Sequence, residues 1–198
     1  GTPDCYKVIK PHQIPFISYP YEWSFSQLKA AAMLTLRVQH EAIKHGFILK
    51  DASAFNVQFL DSKPVFIDTL SFDTYVQGSP WVAYKQFCQH FLAPLALMAF
   101  TDIELAKLMI SHIDGVPLPL ASKLLPLRTR LNYSLATHIH LHSRMQQQHG
   151  DAAGKDATIK AKSATLSEQG LQALMESLAG AVKKLHWELP KTEWGNYY

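Results

Sequence analysis

The chain has 198 residues and a mass of 22.3 kDa, a little over one domain's worth and long enough to bury a core without disulfide or metal staples. Hydrophobic residues at 47% exclude a chain disordered throughout, and charged residues at only 18% imply a surface that is largely neutral or covered. Nineteen Lys and Arg against sixteen Asp and Glu give a net charge of +3 with no basic run, which argues against nucleic acid as a partner.

Residues 5 to 19 read as extended. Tyr6, Val8 and Ile9 precede Pro11, and Ile14, Phe16, Ile17 and Tyr19 surround Pro15. Two short strands split by a proline turn are expected there. Ser24 and Gln27 then have capping-box spacing. Phe25, Leu28, Ala32, Leu36, Gln39 and Ile43 follow at three- and four-residue steps, and Gly46 stands at the C-cap. The pattern predicts a long helix over this stretch.

Residues 47 to 72 change period. Phe47-Ile48-Leu49 is a short apolar stretch. Val57, Phe59 and Leu60 predict one strand and Val65-Phe66-Ile67 another, with Asp61-Ser62-Lys63-Pro64 as a four-residue turn. Residues 80 to 145 read as mostly helical, broken at Pro94, at Gly115-Val116-Pro117 and at Pro126. Ala83, Phe87, His90, Phe91 and Leu95 share one helical face; Leu105, Leu108, Met109 and Ile113 share another. The apolar run from Phe91 to Phe100 is half of the roughly 20 residues that a membrane span needs, so it reads as core. Residues 146–165 read as a mobile loop or linker. Thr165 and Glu168 suggest a second capping box, before a helix burying Leu171, Leu174, Met175, Leu178, Val182 and Leu185.

Cys5 and Cys88 are isolated, which fits a reducing, cytoplasmic setting; no secretory signal or membrane partner is expected. Gly1 at the start and the aromatic cluster from Trp194 to Tyr198 at the close lead us to expect a domain cut from a longer protein. Cys88 and His90 are expected on different helical faces. His138, His140 and His142 would share a face on a strand and could then bind metal. Leu131, Leu135 and Ile139 favour a helix and solvent-facing or capping histidines. Trp23 is expected to pack on the domain.

Chemistry concentrates in Lys50 to Asn56 and in Asp68. Asp51 is followed by Asn56 five residues later and by Asp68 twelve after that, with the hairpin between. Phosphoryl transfer from magnesium-bound nucleotide uses such a set: a carboxylate for the acceptor hydroxyl, and an amide oxygen with a second carboxylate for Mg²⁺. Asp and Asn are also common caps and turn formers, and simple backbone bonding stands beside this reading.

With these residues the sequence resembles the protein kinase-like fold, including the aminoglycoside phosphotransferases. The resemblance implies an α+β, mainly helical large lobe with a truncated small β lobe. It implies Asp51 as catalytic base, Asn56 and Asp68 as magnesium ligands, and Mg-ATP as cofactor. Residues 1–23 would be a small-lobe remnant and hinge, 24–145 the large lobe, and 166–198 a C-terminal helix with a truncated end. The departures are Leu49-Lys50 before the base, Ser53 after it, Thr69-Leu70 after the metal Asp, and no G-x-G among nine glycines. These imply a degenerate module.

Longer strings carry a second resemblance: Ile14 to Trp23, Lys50 to Phe59, Pro64 to Phe72, Trp81 to Met98 and Thr192 to Trp194. They are similar to a family of bacterial class I SAM-dependent methyltransferase proteins, some with nodulation-related names. There the matching region precedes the methyltransferase domain. The resemblance implies that domain as an intramolecular partner, SAM bound only there, and a recognition or scaffolding role here for an unidentified small molecule.

Overall fold

The computed structural model describes residues 9–144 and 167–188. Its spine is helix α1, Phe25–Lys44. Ser24 starts it as its spacing predicts: the hydroxyl accepts from the Gln27 N–H, and Gln27 Oε1 accepts from the Ser24 N–H at 2.9 Å. The helix ends into Gly46 at φ +76°, a left-handed turn that costs glycine little. The buried face carries Leu28, Ala31, Ala32, Leu36 and Ile43, with Thr35 and Gln39 among them.

Helix α1 packs on strands and helices from both ends of the chain. One neighbour is the helix Glu168–Lys184, here α7. Lys29 joins them: its ammonium donates to the carbonyls of Lys183 at 2.9 Å and Leu185 at 2.7 Å. A cation suits the negative end of a helix. The cap of α7 is Ser167, whose hydroxyl accepts from the Gly170 N–H at 3.1 Å. Thr165 lies outside the described residues. Glu168 is the first helical residue, too early to be the third of a box opened by Thr165. Leu171, Met175, Leu178, Val182 and Leu185 are buried as their spacing predicts, and Leu174 is half-buried.

Two antiparallel two-stranded sheets flank α1. Strand β1, Phe47–Leu49, pairs with β4, Phe72–Thr74, with Ile48 opposite Asp73. Strand β2, Val57–Leu60, pairs with β3, Lys63–Phe66, with Val57 opposite Phe66. The second sheet is the expected hairpin, but its turn is tighter. Asp61 and Ser62 alone make it, at φ +48° and +64°. Two left-handed residues match the twist of the flanking strands, so Lys63 and Pro64 join the ladder. Pro64 is tolerated because β3 has a free edge for its missing N–H.

Of the two strands expected before α1, the one at Tyr6 and Val8 lies outside the described residues, and residues 9 to 19 carry no strand. Pro11 and Pro15 remove ladder donors. Side chains hold the segment instead. Gln58 Oε1 accepts from the Ser18 N–H at 3.0 Å, and its Nε2 donates to the Ser18 carbonyl at 2.9 Å. Trp23 is buried as expected, edge-on to Phe59, and its indole donates to Ser18 Oγ at 2.9 Å.

The remaining helices are short. They are α2 (Tyr84–Phe87), α3 (Ala93–Phe100), α4 (Leu108–Ser111), α5 (Leu118–Leu124) and α6 (Tyr133–Leu135). Pro94 does not break the chain between α2 and α3. It sits in the first turn of α3, after a wide π turn over Cys88–Leu92. Phe87, Phe91, Leu92, Leu95 and Leu97 are wholly buried, so the apolar run is core. No described helix is long and apolar enough to cross a membrane. Ile113 does not share the buried face of Met109; it is 58% exposed. The whole is α+β and mainly helical.

The three spaced histidines also differ from expectation. They lie on or beside a π turn, Ala136–Leu141, and His138 and His140 are buried rather than facing solvent. His138 Nδ1 meets the Tyr84 hydroxyl at 2.7 Å and its Nε2 meets Ser177 Oγ at 3.0 Å. His140 meets Ser122 Oγ at 2.8 Å and Thr129 Oγ1 at 2.9 Å. Hydroxyls can donate or accept, so each neutral ring is satisfied on both sides. Alternate residues thus tie the turn to opposite neighbours: α2 and α7 by His138, and α5 and the 3₁₀ turn Leu127–Leu131 by His140.

Burial lowers the pKa of His138 to about 4, with the charge of His142 adding to it. Burial also lowers those of His90, His140 and His142. Between pH ~6.5 and ~4 the unfolded chain therefore binds more protons than the folded one, and stability falls as pH falls through that window. His138 alone should remove about 2–3 kcal/mol by its lower end. Denaturant unfolding at pH 7.5, 6 and 4.5 should show this loss, and His138→Gln should flatten the slope.

Candidate functional site

The candidate site begins at the end of β1. Leu49 sits where its backbone faces away from β4, and two side chains take the place of a third strand. Gln39 Oε1 accepts from the Leu49 N–H at 2.7 Å, and Trp81 Nε1 donates to the Leu49 carbonyl at 2.8 Å. All three residues are buried. One step on, the Lys50 N–H donates to the Ser71 carbonyl at 2.9 Å. The chain therefore reaches Asp51 from a fixed direction.

The loop from Asp51 to Asn56 is held by its own side chains. Asp51 Oδ1 accepts from the Ser53 N–H at 2.7 Å, and Ser53 Oγ accepts from the Phe55 N–H at 3.2 Å. Gln86 of α2 accepts from the Ala52 N–H at 2.8 Å. The backbone-capping role of Asp51 is thus real, but it uses one carboxylate oxygen. The other has no hydrogen-bond partner among the described residues.

The hairpin brings Asn56 and Asp68 together. The Ile67 N–H donates to the Asn56 carbonyl at 2.9 Å, one pair beyond the Val57–Phe66 register. Ser71, which is buried, bridges the two side chains. Asn56 Nδ2 donates to Ser71 Oγ at 3.2 Å, and Ser71 Oγ donates to Asp68 Oδ2 at 2.5 Å. Asn56 Nδ2 also reaches the Asp51 carbonyl at 3.4 Å. Asp68 Oδ1 accepts from the Leu70 N–H at 2.9 Å. The three residues picked from spacing thus belong to one bonded chain, whose central member, Ser71, the spacing did not single out.

They do not all face one cavity. A cleft of about 510 Å³ is lined by Tyr19, Tyr21, Asp51, Ser53, Phe55, Gln86, His90, Ile113 and Asp114. Asp51 is in its wall; Asn56 and Asp68 are not. Tyr19 and Tyr21 stack with ring centroids 5.4 Å apart and planes within 7°. Phe55 stands edge-on to His90. His90 is buried, which holds its pKa below the ordinary imidazole range, against the opposing pull of the Asp51 and Asp114 carboxylates. Among the described residues the lining contains two carboxylates and neither Lys nor Arg.

Sequence reading missed Gln86, His90 and Asp114 as neighbours of Asp51. One local signal was present. Gly115, which breaks the helical pattern, has φ +98°, and a Cβ there would lie 2.6 Å from Gln89 Cβ and 3.0 Å from His90 Cδ2. The loop after Asp114 must press against the π turn to bring Asp114 to the cleft. The Val116 N–H fixes it by donating to the Gln89 carbonyl at 2.9 Å.

Cys88 is buried, and burial pushes its thiol up to about 12. Such a thiol is a poor nucleophile. No cluster of three or more His, Cys, Asp or Glu able to hold a metal occurs among the described residues.

Fold and site together define a mainly helical α+β module with an acid-walled, partly aromatic cleft. Over 192 residues the chain is 35% identical to nodulation protein NoeA of Rhizobium meliloti (strain 1021). The match covers 96% of this chain and 40% of that protein, so the chain spans about two fifths of the relative's length. No family model matches the chain, and no solved structure matches it.

Two substitutions test the scaffold. Trp81→Phe keeps the ring but leaves the buried Leu49 carbonyl unpaired, and should cost about 1–3 kcal/mol in urea unfolding. Gly115→Ala combines a left-handed backbone with a close contact, and should cost about 2–4 kcal/mol by the same measurement.

Proposed function

We propose that this chain is a kinase-like module of a longer SAM-dependent methyltransferase protein in a nodulation-related process. In this reading it recognises a small molecule beside Asp51 and presents it to a downstream methyltransferase domain. SAM binds only in that other domain. The protein works in the cytoplasm, and this module transfers no phosphate.

The observation that supports recognition is the cleft. Its volume suits a small molecule. Asp51 enters its wall with one carboxylate oxygen committed to the loop and the other open to a ligand. Among the described residues no Lys or Arg in the lining offers a partner for nucleotide phosphates. The similarity to a protein named for nodulation supports the process, and the share of that protein covered supports a larger parent.

The test uses the longer protein. Asp51→Asn should lower SAM-dependent methylation of its acceptor by about tenfold or more, with SAM affinity unchanged in calorimetry. Calorimetry with Mg-ATP should show no binding. Unchanged methylation in the Asp51 variant removes the recognition role.

One observation favours a second reading. The hairpin joins Asn56 and Asp68 through Ser71, the pair that a phosphotransferase would use for magnesium. In that reading the longer protein binds Mg-ATP and phosphorylates a small molecule, with Asp51 as base. Mg-ATP binding that Asp68→Ala abolishes would establish it and displace the first reading.

A further inference from the structure

Among the described residues the lining of the Asp51 cleft is one-sided in charge. Asp51 and Asp114 supply two carboxylates. His90 lies within the field of both, and its burial disfavours the charged form. Lys50 and Lys85 are exposed and are sequence neighbours of Asp51 and Gln86, yet neither lines the cleft. Asp114 is exposed and its side chain makes no hydrogen bond or ion pair among the described residues.

The rest of the wall is aromatic or amide. Tyr19 and Tyr21 form a stacked pair, and Phe55 stands on the same cleft. Gln86 spends its carbonyl oxygen on the Ala52 N–H, so its amide nitrogen stays available. Ring faces attract cations, as carboxylates do. An anionic ligand would meet two like charges with no base among the described lining residues, and a neutral one would gain no charge attraction from either carboxylate.

We infer that the cleft takes a small molecule carrying a protonated amine, held between Asp51 and Asp114 with its apolar part against the Tyr19–Tyr21 pair and Phe55. This rests on the reading of the cleft as a ligand site and adds the ligand's charge and class. The amine is the handle for recognition; no bond is made or broken in this step.

The test is a chemical-shift titration of the 198-residue chain with three probes of one shape: benzylamine, benzyl alcohol and benzoate. Benzylamine is protonated at neutral pH and should shift the resonances of Asp51, Phe55, His90 and Asp114. It should bind about tenfold more tightly than benzyl alcohol, and benzoate should cause no shift there. Asp51→Asn and Asp114→Asn should each weaken benzylamine several-fold and leave benzyl alcohol unchanged. Rising salt should weaken benzylamine alone. Equal affinity for the amine and the alcohol, or a preference for benzoate, overturns the charge assignment and leaves the cleft a ligand site. Silence of the cleft resonances to all three probes overturns both.

Discussion

The site depends on how one peptide unit is anchored. Leu49 ends a strand that has a partner on one side only. Its N–H and C=O point into the core, where an unpaired backbone group costs as much as a lost hydrogen bond. Gln39 from α1 and Trp81 from the loop before α2 supply the missing partners. Two side chains thus replace a strand, and both are buried. This arrangement ties the direction of the chain at Asp51 to the position of α1. The Gln39 amide nitrogen has no partner among the described residues, so the anchor carries an unsatisfied donor in the core. An apolar residue at position 39 would remove that orphan and create another at Leu49.

A second constraint comes from turns wider than an α-helix. The π turn at Cys88–Leu92 delivers His90 to the cleft while Phe87 and Phe91 on either side stay in the core. The π turn at Ala136–Leu141 lets His138 and His140 reach different neighbours although they are two residues apart. Widened turns shift the helical phase by part of a residue step, and such turns recur at functional sites. Here one serves the cleft and the other holds three helices together. The same burial that makes the histidines good neutral ties makes them costly to protonate. The loss of stability expected in acid therefore follows from how the helices are joined.

Much of the scaffold was legible because it is local. Ser24, Gln27 and Gly46 mark the ends of α1 by their own chemistry, and the spacing of Leu28, Ala32, Leu36 and Ile43 marks its buried face. The hairpin was legible from its two apolar arms, but its turn was read two residues too long, because Lys63 and Pro64 look like loop residues while pairing as strand. Strand β4 left no periodic mark: Phe72-Asp73-Thr74 is short and polar, and only pairing with β1 makes it a strand. The segment 9 to 19 erred the other way, with β-rich composition and no ladder to join. In the candidate site the spacing of Asp51, Asn56 and Asp68 picked out residues linked by hydrogen bonds, Asp51 only through its backbone carbonyl, and of the three only Asp51 lines the cleft. It could not predict Ser71, His90 or Asp114, whose roles arise from chain segments that meet only after folding.

The position of Ser71 bears on what the site can do. A magnesium ion held by Asn56 and Asp68 needs oxygen atoms turned toward it. Asp68 now accepts hydrogen bonds at both oxygens, one from its own loop and one from Ser71. Asn56 turns its amide nitrogen, not its oxygen, into this chain of bonds. A dication would have to compete with Ser71 for Asp68, and nothing comparable holds the open oxygen of Asp51. The two halves of the motif therefore differ in readiness. The Asn56–Ser71–Asp68 half is internally satisfied and acts as a brace for the loop, while the Asp51 half faces the cleft with charge to spare. On that asymmetry the proposed recognition of a ligand at Asp51 would require no rearrangement, whereas metal-dependent transfer would require the brace to open first.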